Sequence, residues 1–173
     1  QPGWRPVRRQ LVAATLAPAL ILMGAEDRLC DPGDEDCRQL LIQLIRNEQI
    51  RIDVAFWFME DARYSAALIE RWRAGVPVRV IMDTEANASY PGNIPVLQDL
   101  KDAGIPMLEK TSRGIVHWKT MIFAGQNVVQ TGSPNYSPSA FVPISPLVNF
   151  QDESILFSND PVVVNSYKRM FDV

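Results

Sequence analysis

The stretch HWKTMIFAGQNVVQTGSPNYS, residues 117–137, decides how this chain is read. Two apolar runs meet at Gly125-Gln126, which predicts a strand over 115–124 joined to a second strand through NVVQT. The first run holds the chain's single histidine, two residues before a lysine. Residues two apart on a strand share a face. His117 and Lys119 therefore point one way and Trp118 the other. Ser133 and Asn135 follow in a turn at the end of the next strand, and pairing of the two strands brings them toward the histidine. The four side chains are an imidazole, an ammonium, a hydroxyl and a carboxamide, and the last three all donate hydrogen bonds. Such a set suits a phosphate: a cation for its charge, donors for its oxygens, and an imidazole for attack or proton transfer.

Outward from this stretch the texture differs on the two sides. Upstream, helical and extended patterns alternate. Asp31-Pro32 reads as a helix cap followed by a first-turn proline. The acids Asp34, Glu35 and Asp36 suit the positive end of that helix, and Cys37, Leu40, Leu41, Leu44 and Ile45 recur at helical spacing. IRIDVAFWF (Ile50–Phe58) alternates as a strand, with Ile50, Ile52, Val54, Phe56 and Phe58 on one face. Trp57 and Asp53 fall off that face, where they could line a site; tryptophans such as Trp57, Trp72 and Trp118 more often pack in a core. Ala62–Gly75 returns to helical spacing and ends at a glycine. Val76–Asp83 is a strand, TEANASYPG a loop by composition, Asn93–Gly104 a short helix and Ile105–Lys110 a strand. Downstream, the Pro- and Ser-rich segment Ser133–Leu147 is a long loop, DESILF (Asp152–Phe157) a strand, and Asp160-Pro161 opens a last helix. Units of β/α followed by a run of strands and a helix predict an α/β/α sandwich with a central mixed sheet.

The whole sequence of 173 residues fits one such domain, with a net charge of −3. That charge does not suggest a generic nucleic-acid binder, whose affinity comes mainly from basic surface. The clearest basic cluster is Arg5, Arg8 and Arg9, followed by the apolar run Leu11–Gly24. Residues 1–24 are set apart as a basic and apolar segment. It has the look of a secretory signal, against the reading of an apolar segment packed on the core and interrupted by Pro18. Contact with a membrane surface fits the same segment. Cys30 and Cys37 either close a small disulfide loop, which implies an oxidising compartment, or remain two free thiols. Two cysteines with no nearby histidine make a poor zinc site.

HWK…GSPN resembles the HxK…GSxN motif of the phospholipase D superfamily, and the resemblance runs from Ala25 to Val173. DCRQLLIQLIRNEQIRIDVAFWFMEDARYSAALIERWRAGVPVRVIMD is similar to that family's first helix–strand–helix–strand unit, and NFQDESILF to its downstream strand with an acidic residue. The resemblance implies a phospholipase D-like fold and cleavage of a phosphodiester, in a phospholipid or a nucleic acid, with no metal or other cofactor. His117 would be the nucleophile that forms a phosphohistidine, or the general acid. Lys119 and Asn135 would bind phosphate oxygens, Ser133 would help orient them, and Glu153, with Asp152 as competitor, would hold the far ring nitrogen of the histidine.

Two departures stand out. The family's motif carries an aspartate where this chain has Ala124, and the spacing to Gly132 is one residue longer, which a bulge could absorb. The implied mechanism also needs two histidines. The second would come from a homodimer partner across a two-fold axis, or from the remaining half of a longer enzyme, a reading that the abrupt stop at Val173 suggests. The other functions compatible with the sequence are a nuclease on the same scaffold and a half-domain that only binds an anion or a partner. Secretion or a periplasmic location is the expectation that goes with the leader-like segment and the disulfide.

Overall fold

A computed structural model describes residues 27–110, 114–143 and 151–172. Its elements in chain order are β1 (Arg28–Cys30), α1 (Cys37–Asn47), β2 (Ile52–Phe56), α2 (Ala62–Arg73), β3 (Val78–Asp83), α3 (Thr84–Ser89), α4 (Asn93–Asp102), β4 (Met107–Lys110), β5 (Lys119–Phe123), β6 (Val128–Gly132), β7 (Ile155–Ser158) and α5 (Pro161–Phe171). The strands form one seven-stranded sheet in the order β1-β7-β6-β5-β2-β3-β4. Strands β2, β3 and β4 are parallel, as β/α crossovers require. Strand β5 enters antiparallel to β2, with Phe56 opposite Lys119, and β6, β7 and β1 continue antiparallel. The expected α/β/α sandwich with a mixed sheet is the fold.

The layers follow from which faces are apolar. Helices α1, α2 and α4 cover one face through Leu41, Ile45, Leu68 and Leu100, packed on Ile52, Val54, Phe56, Met121 and Phe123. Helix α5 covers the other face with Val164 and Phe171 on Ala55, Ile122 and Val129. Every residue of β2 and β5 is consequently buried, and the alternation expected of a half-exposed strand gives way to a fully covered one. Asp53 lies on the α5 side of β2 with its carboxylate bound to Arg51 at 3.0 Å and Arg79 at 2.7 Å. Its place off the apolar face marks a buried ion cluster, not a site-lining role.

Several expectations need correction. The cap of α1 is Asp36, whose side chain accepts from Gln39 N. Asp31 instead closes a turn, accepting from Gly33 N at 2.8 Å. TEANASYPG is not all loop: Asp83 accepts from Ala86 N and starts α3, a cap that works despite a composition typical of turns. Ile50 lies outside β2 and is 62% exposed. The strand expected over 115–124 begins only at Lys119, because the segment before it is drawn off by Asp83, which accepts from Val116 N at 2.8 Å.

Edge strand β1 carries no periodic signal, being three residues long. Cys30 and Cys37 form a disulfide joining β1 to the start of α1. The whole 1–24 segment, with the basic cluster at residues 5–9, the apolar run Leu11–Gly24 and the boundary placed after it, lies outside the described residues, as does part of the Ser133–Leu147 loop.

Candidate active site

The site residues gather where the parallel strands β2 and β3 end and β5 begins, the region where α/β sheets hold their ligands. Beyond Phe56 the chain leaves the sheet through Trp57 and Phe58. Trp57 N still donates to Trp118 O at 3.0 Å, so the β2–β5 pairing reaches one step past the strand. Buried amides hold this exit loop. Asn87 donates to Trp57 O at 3.0 Å, Met59 N donates to Asn93 Oδ1 at 2.6 Å, and Asn93 in turn donates to Asn87. The bonds satisfy backbone groups that the end of the strand would leave unpaired.

His117 is held between these strand ends, exposed at the surface. Its ring lies 4.9 Å from that of Trp57, tilted by 54°. Lys119 is 4% exposed and its Nζ donates to His117 O at 3.1 Å. The same ammonium sits 5.4 Å over the Trp57 ring, a cation–π distance. Burial pulls the Lys119 pKa below the ordinary lysine range, and the charge of Glu153 partly restores it. A desolvated ammonium with three donors, of which one has a partner here, is prepared for an anion.

Ser133 and Glu153 meet across the ends of β6 and β7. Ser133 Oγ donates to the Glu153 carboxylate and accepts from Ser154 N at 2.9 Å, while Ser133 N donates to Ser154 O at 3.0 Å. Gly132 is required just before this clasp, since a Cβ there would collide with the Ser154 carbonyl. The expected bond from Glu153 to the histidine ring is not made among the described residues. Glu153 faces Ser133 by hydrogen bond and Lys119 by charge. Asp152, its competitor, lies beside it in a shallow depression also lined by Leu29, Cys30 and Asp31. Asn135 follows Ser133 by two residues, and its Oδ1 is buried with no hydrogen-bond partner among the described residues, as are Tyr64 Oη and Gln130 Nε2 in the core. The structure thus joins His117 to Lys119 by a hydrogen bond and Ser133 to Glu153 by another, and the charge of Glu153 acts on Lys119 without a direct contact between them.

Sequence reasoning missed Trp57's contact with the imidazole and the companions of that ring. Phe58 and Tyr90 stack at 4.6 Å, and both lie within 6 Å of Trp57, at 5.5 and 5.8 Å. Tyr90 comes from the α3–α4 connection, 33 positions from Trp57, so no local pattern links them.

Ala124, where the resembled motif has an aspartate, donates its N–H to Arg51 O at 2.9 Å. A carboxylate does serve this turn, but it comes from the C-cap of α1. Glu48 accepts from Gly125 N at 2.8 Å, Gln126 N at 3.2 Å, Ile50 N at 2.7 Å and Arg51 N at 3.2 Å. Among the described residues one His/Cys/Asp/Glu group has metal-ligand spacing, Cys30–Glu35–Cys37. Its thiols are joined in the disulfide, which leaves no thiolate to ligate.

Residues 41–173 match the family model described as "Cardiolipin synthase, PLD-like domain". A phospholipase D of Rickettsia prowazekii (strain Madrid E) is 30% identical over 111 residues, covering 64% of this chain and 52% of that protein. The chain therefore spans about half the length of this curated relative. Among solved structures, Nuc from Salmonella typhimurium, a phospholipase D family member, superposes with a TM-score of 0.69 at 19% identity over 85% of this chain and 93% of its own. NucT from Helicobacter pylori gives 0.68 at 19% identity, with the same coverage of 85% and 93%. At these identities the structural likeness establishes the fold.

Proposed function

We propose that this chain, which belongs to the phospholipase D superfamily, is a metal-independent phosphodiester hydrolase that works through a phosphohistidine. The family acts on phosphodiesters. The observation that carries the reading for this chain is the pairing of its single histidine with a buried, under-bonded lysine, His117 with Lys119.

The residues take these parts. The phosphate sits against Lys119 Nζ, with the Asn135 side chain supplying a further polar contact and Ser133 held in place by Glu153. His117 attacks phosphorus through a ring nitrogen. The P–N bond forms as the P–O bond to the leaving alcohol breaks, and a second imidazole gives the departing oxygen its proton. Water then attacks the phosphohistidine and yields a proton to that second imidazole. The P–N bond breaks, and a phosphomonoester and free His117 result. Lys119 balances the charge that builds on the phosphate oxygens in both steps. Trp57 supports the histidine ring, since Glu153 is engaged with Ser133.

The second imidazole comes from another motif, supplied by a second copy of the chain across a two-fold axis or by a further part of the protein. A small or amphiphilic diester suits the site better than a polymer. The net charge of −3 gives little of the basic surface that a nucleic-acid backbone needs, and among the described residues Arg28, Arg38, Arg46, Arg51, Arg63 and Arg79 are ion-paired. The disulfide fits a secreted or periplasmic protein.

Hydrolysis of bis(p-nitrophenyl) phosphate in excess EDTA, with His117→Ala in parallel, tests the reading. Turnover by the wild type alone, with a p-nitrophenyl phosphoryl group trapped on His117 in mass spectra of protein quenched in denaturant at alkaline pH, is the expected result. Equal turnover in the two proteins overturns the role of His117. Inactivity of both, with phosphate still bound, means that the chain is a binding half-site.

A further inference from the structure

The rings beside the histidine form more than a support for it. Trp57, Phe58 and Tyr90 make a continuous wall with centroid spacings of 4.6 to 5.8 Å. All three are half-buried, neither sealed in the core nor fully in water. At one end the wall meets the His117 ring at 4.9 Å and the Lys119 ammonium at 5.4 Å. The Trp57 ring stands at steep angles to two neighbours, 74° to Tyr90 and 54° to His117. Half-exposed rings of this kind offer a flat ligand ring the edge-to-face and offset-stacked contacts that aromatic pairs prefer. One observation beside the rings points to an anionic ligand at this place: a buried ammonium that, among the described residues, has one hydrogen-bond partner, the His117 carbonyl. An anion contact therefore adjoins an apolar, π-rich surface.

We infer that Trp57, Phe58 and Tyr90 form a subsite for a planar apolar group esterified to the phosphate that Lys119 and His117 hold. The inference rests on the proposed phosphate site and adds a preference to it. The ligand class is a small phosphate ester with an aryl or other flat substituent. Ring stacking favours a flat group over a flexible chain, which loses more rotamer freedom when bound.

The single histidine of this chain permits a direct test that does not depend on turnover. In carbon–proton correlation spectra the His117 ring Cε1–H gives one resonance from an imidazole. That resonance is followed in the full-length chain during titration with inorganic phosphate, phenyl phosphate and octyl phosphate. The expected result is a shift with all three and an affinity for phenyl phosphate about five- to tenfold above inorganic phosphate. In Tyr90→Ala that advantage falls below about twofold, and in Tyr90→Phe it is kept.

Phosphate and phenyl phosphate binding equally well overturns the subsite and leaves the phosphate site standing. Octyl phosphate binding as well as or better than phenyl phosphate also overturns it, in favour of an alkyl, lipid-type subsite. A resonance that none of the three ligands moves, in a protein whose spectrum shows it folded, removes both the phosphate site and this inference. Should Tyr90→Ala unfold, Phe58→Leu serves in its place with the same expected loss of aryl preference.

Discussion

The two ends of β5 are built on opposite principles. At its C-terminal end, the turn at Gly125-Gln126 is held by a carboxylate whose hydrogen bonds are fully used. Glu48 has no exposed surface and accepts from the backbone of Ile50, Arg51, Gly125 and Gln126 and from the Gln126 side chain. At its N-terminal end, Lys119 is nearly as buried but has one hydrogen bond, and Asn135 Oδ1 has none. Both ends bury a charge, which is costly unless partners compensate. One end compensates within the chain and is a structural clamp. The other is compensated in part by the charge of Glu153 and, among the described residues, leaves Lys119 one hydrogen bond, which suits the proposed phosphate. Sites that bind are expected where local stability has been given up in this way.

The comparison can be broken by changing one end at a time. The largest effect is expected from Lys119→Met. Turnover of bis(p-nitrophenyl) phosphate falls by about 10³-fold, as for loss of a main transition-state charge contact, while the melting temperature does not fall, since an unfavourably buried ammonium has been removed. A melting temperature several degrees lower would show that Lys119 is a structural cation, and the contrast between the ends would fail.

Glu48→Ala is expected to do the reverse. Several backbone donors lose their acceptor at once, at about 3 kcal/mol of stability, read from urea unfolding. Turnover per folded molecule should stay within about threefold, because the clamp lies at the other end of the strand. Gly132→Ala comes next, at about 2 kcal/mol, because the new Cβ must displace the Ser154 backbone. It sharpens the comparison by testing whether the Ser133–Glu153 clasp is rigid. A loss under about 0.5 kcal/mol would mean that β7 moves aside freely.

The smallest effect is a pH dependence. Burial pushes the Glu48 carboxyl up, but bonds from Ile50, Gly125, Gln126 and Arg51 together outweigh it and hold the pKa below its ordinary 4.5. A carboxyl with a lowered folded pKa contributes stability that is fully present above its ordinary value and lost as pH falls through the folded value. Wild type should therefore lose more stability than Glu48→Gln as the pH falls below Glu48's ordinary value of 4.5 and through its lower folded value. Parallel curves in urea titrations at those pH values would remove Glu48 as the acid-sensitive clamp.

How much of this was legible depended on the range of each signal. The mixed sheet could be read because apolar periodicity is local: helices α1, α2 and α4 and strands β2, β3 and β5 announce themselves within a few residues. Their boundaries were less secure. β5 begins at Lys119 rather than at 115 because Asp83 binds Val116 N, a contact spanning 33 positions in the chain. The α3 helix was hidden by loop-like composition, and edge strand β1 by its three-residue length. His117, Lys119, Ser133 and Asn135 stood out through their motif, whose spacing is itself local. The partners of those residues did not. Glu153 was expected at the histidine and is bonded to Ser133, a choice set by how β6 and β7 meet.

The sequence by itself determined the α/β/α plan, the family motif and the identity of the one imidazole, because hydrophobic period and motif spacing are properties of neighbouring residues. Only the tertiary structure decided what stands around that imidazole. Trp57 and Tyr90 come from separate segments, Glu48 at the C-cap of α1 holds the turn after Ala124, and Asp53 is claimed by Arg51 and Arg79. Burial, charge compensation and ring contact act through space, and a one-dimensional pattern records them only after the chain has folded.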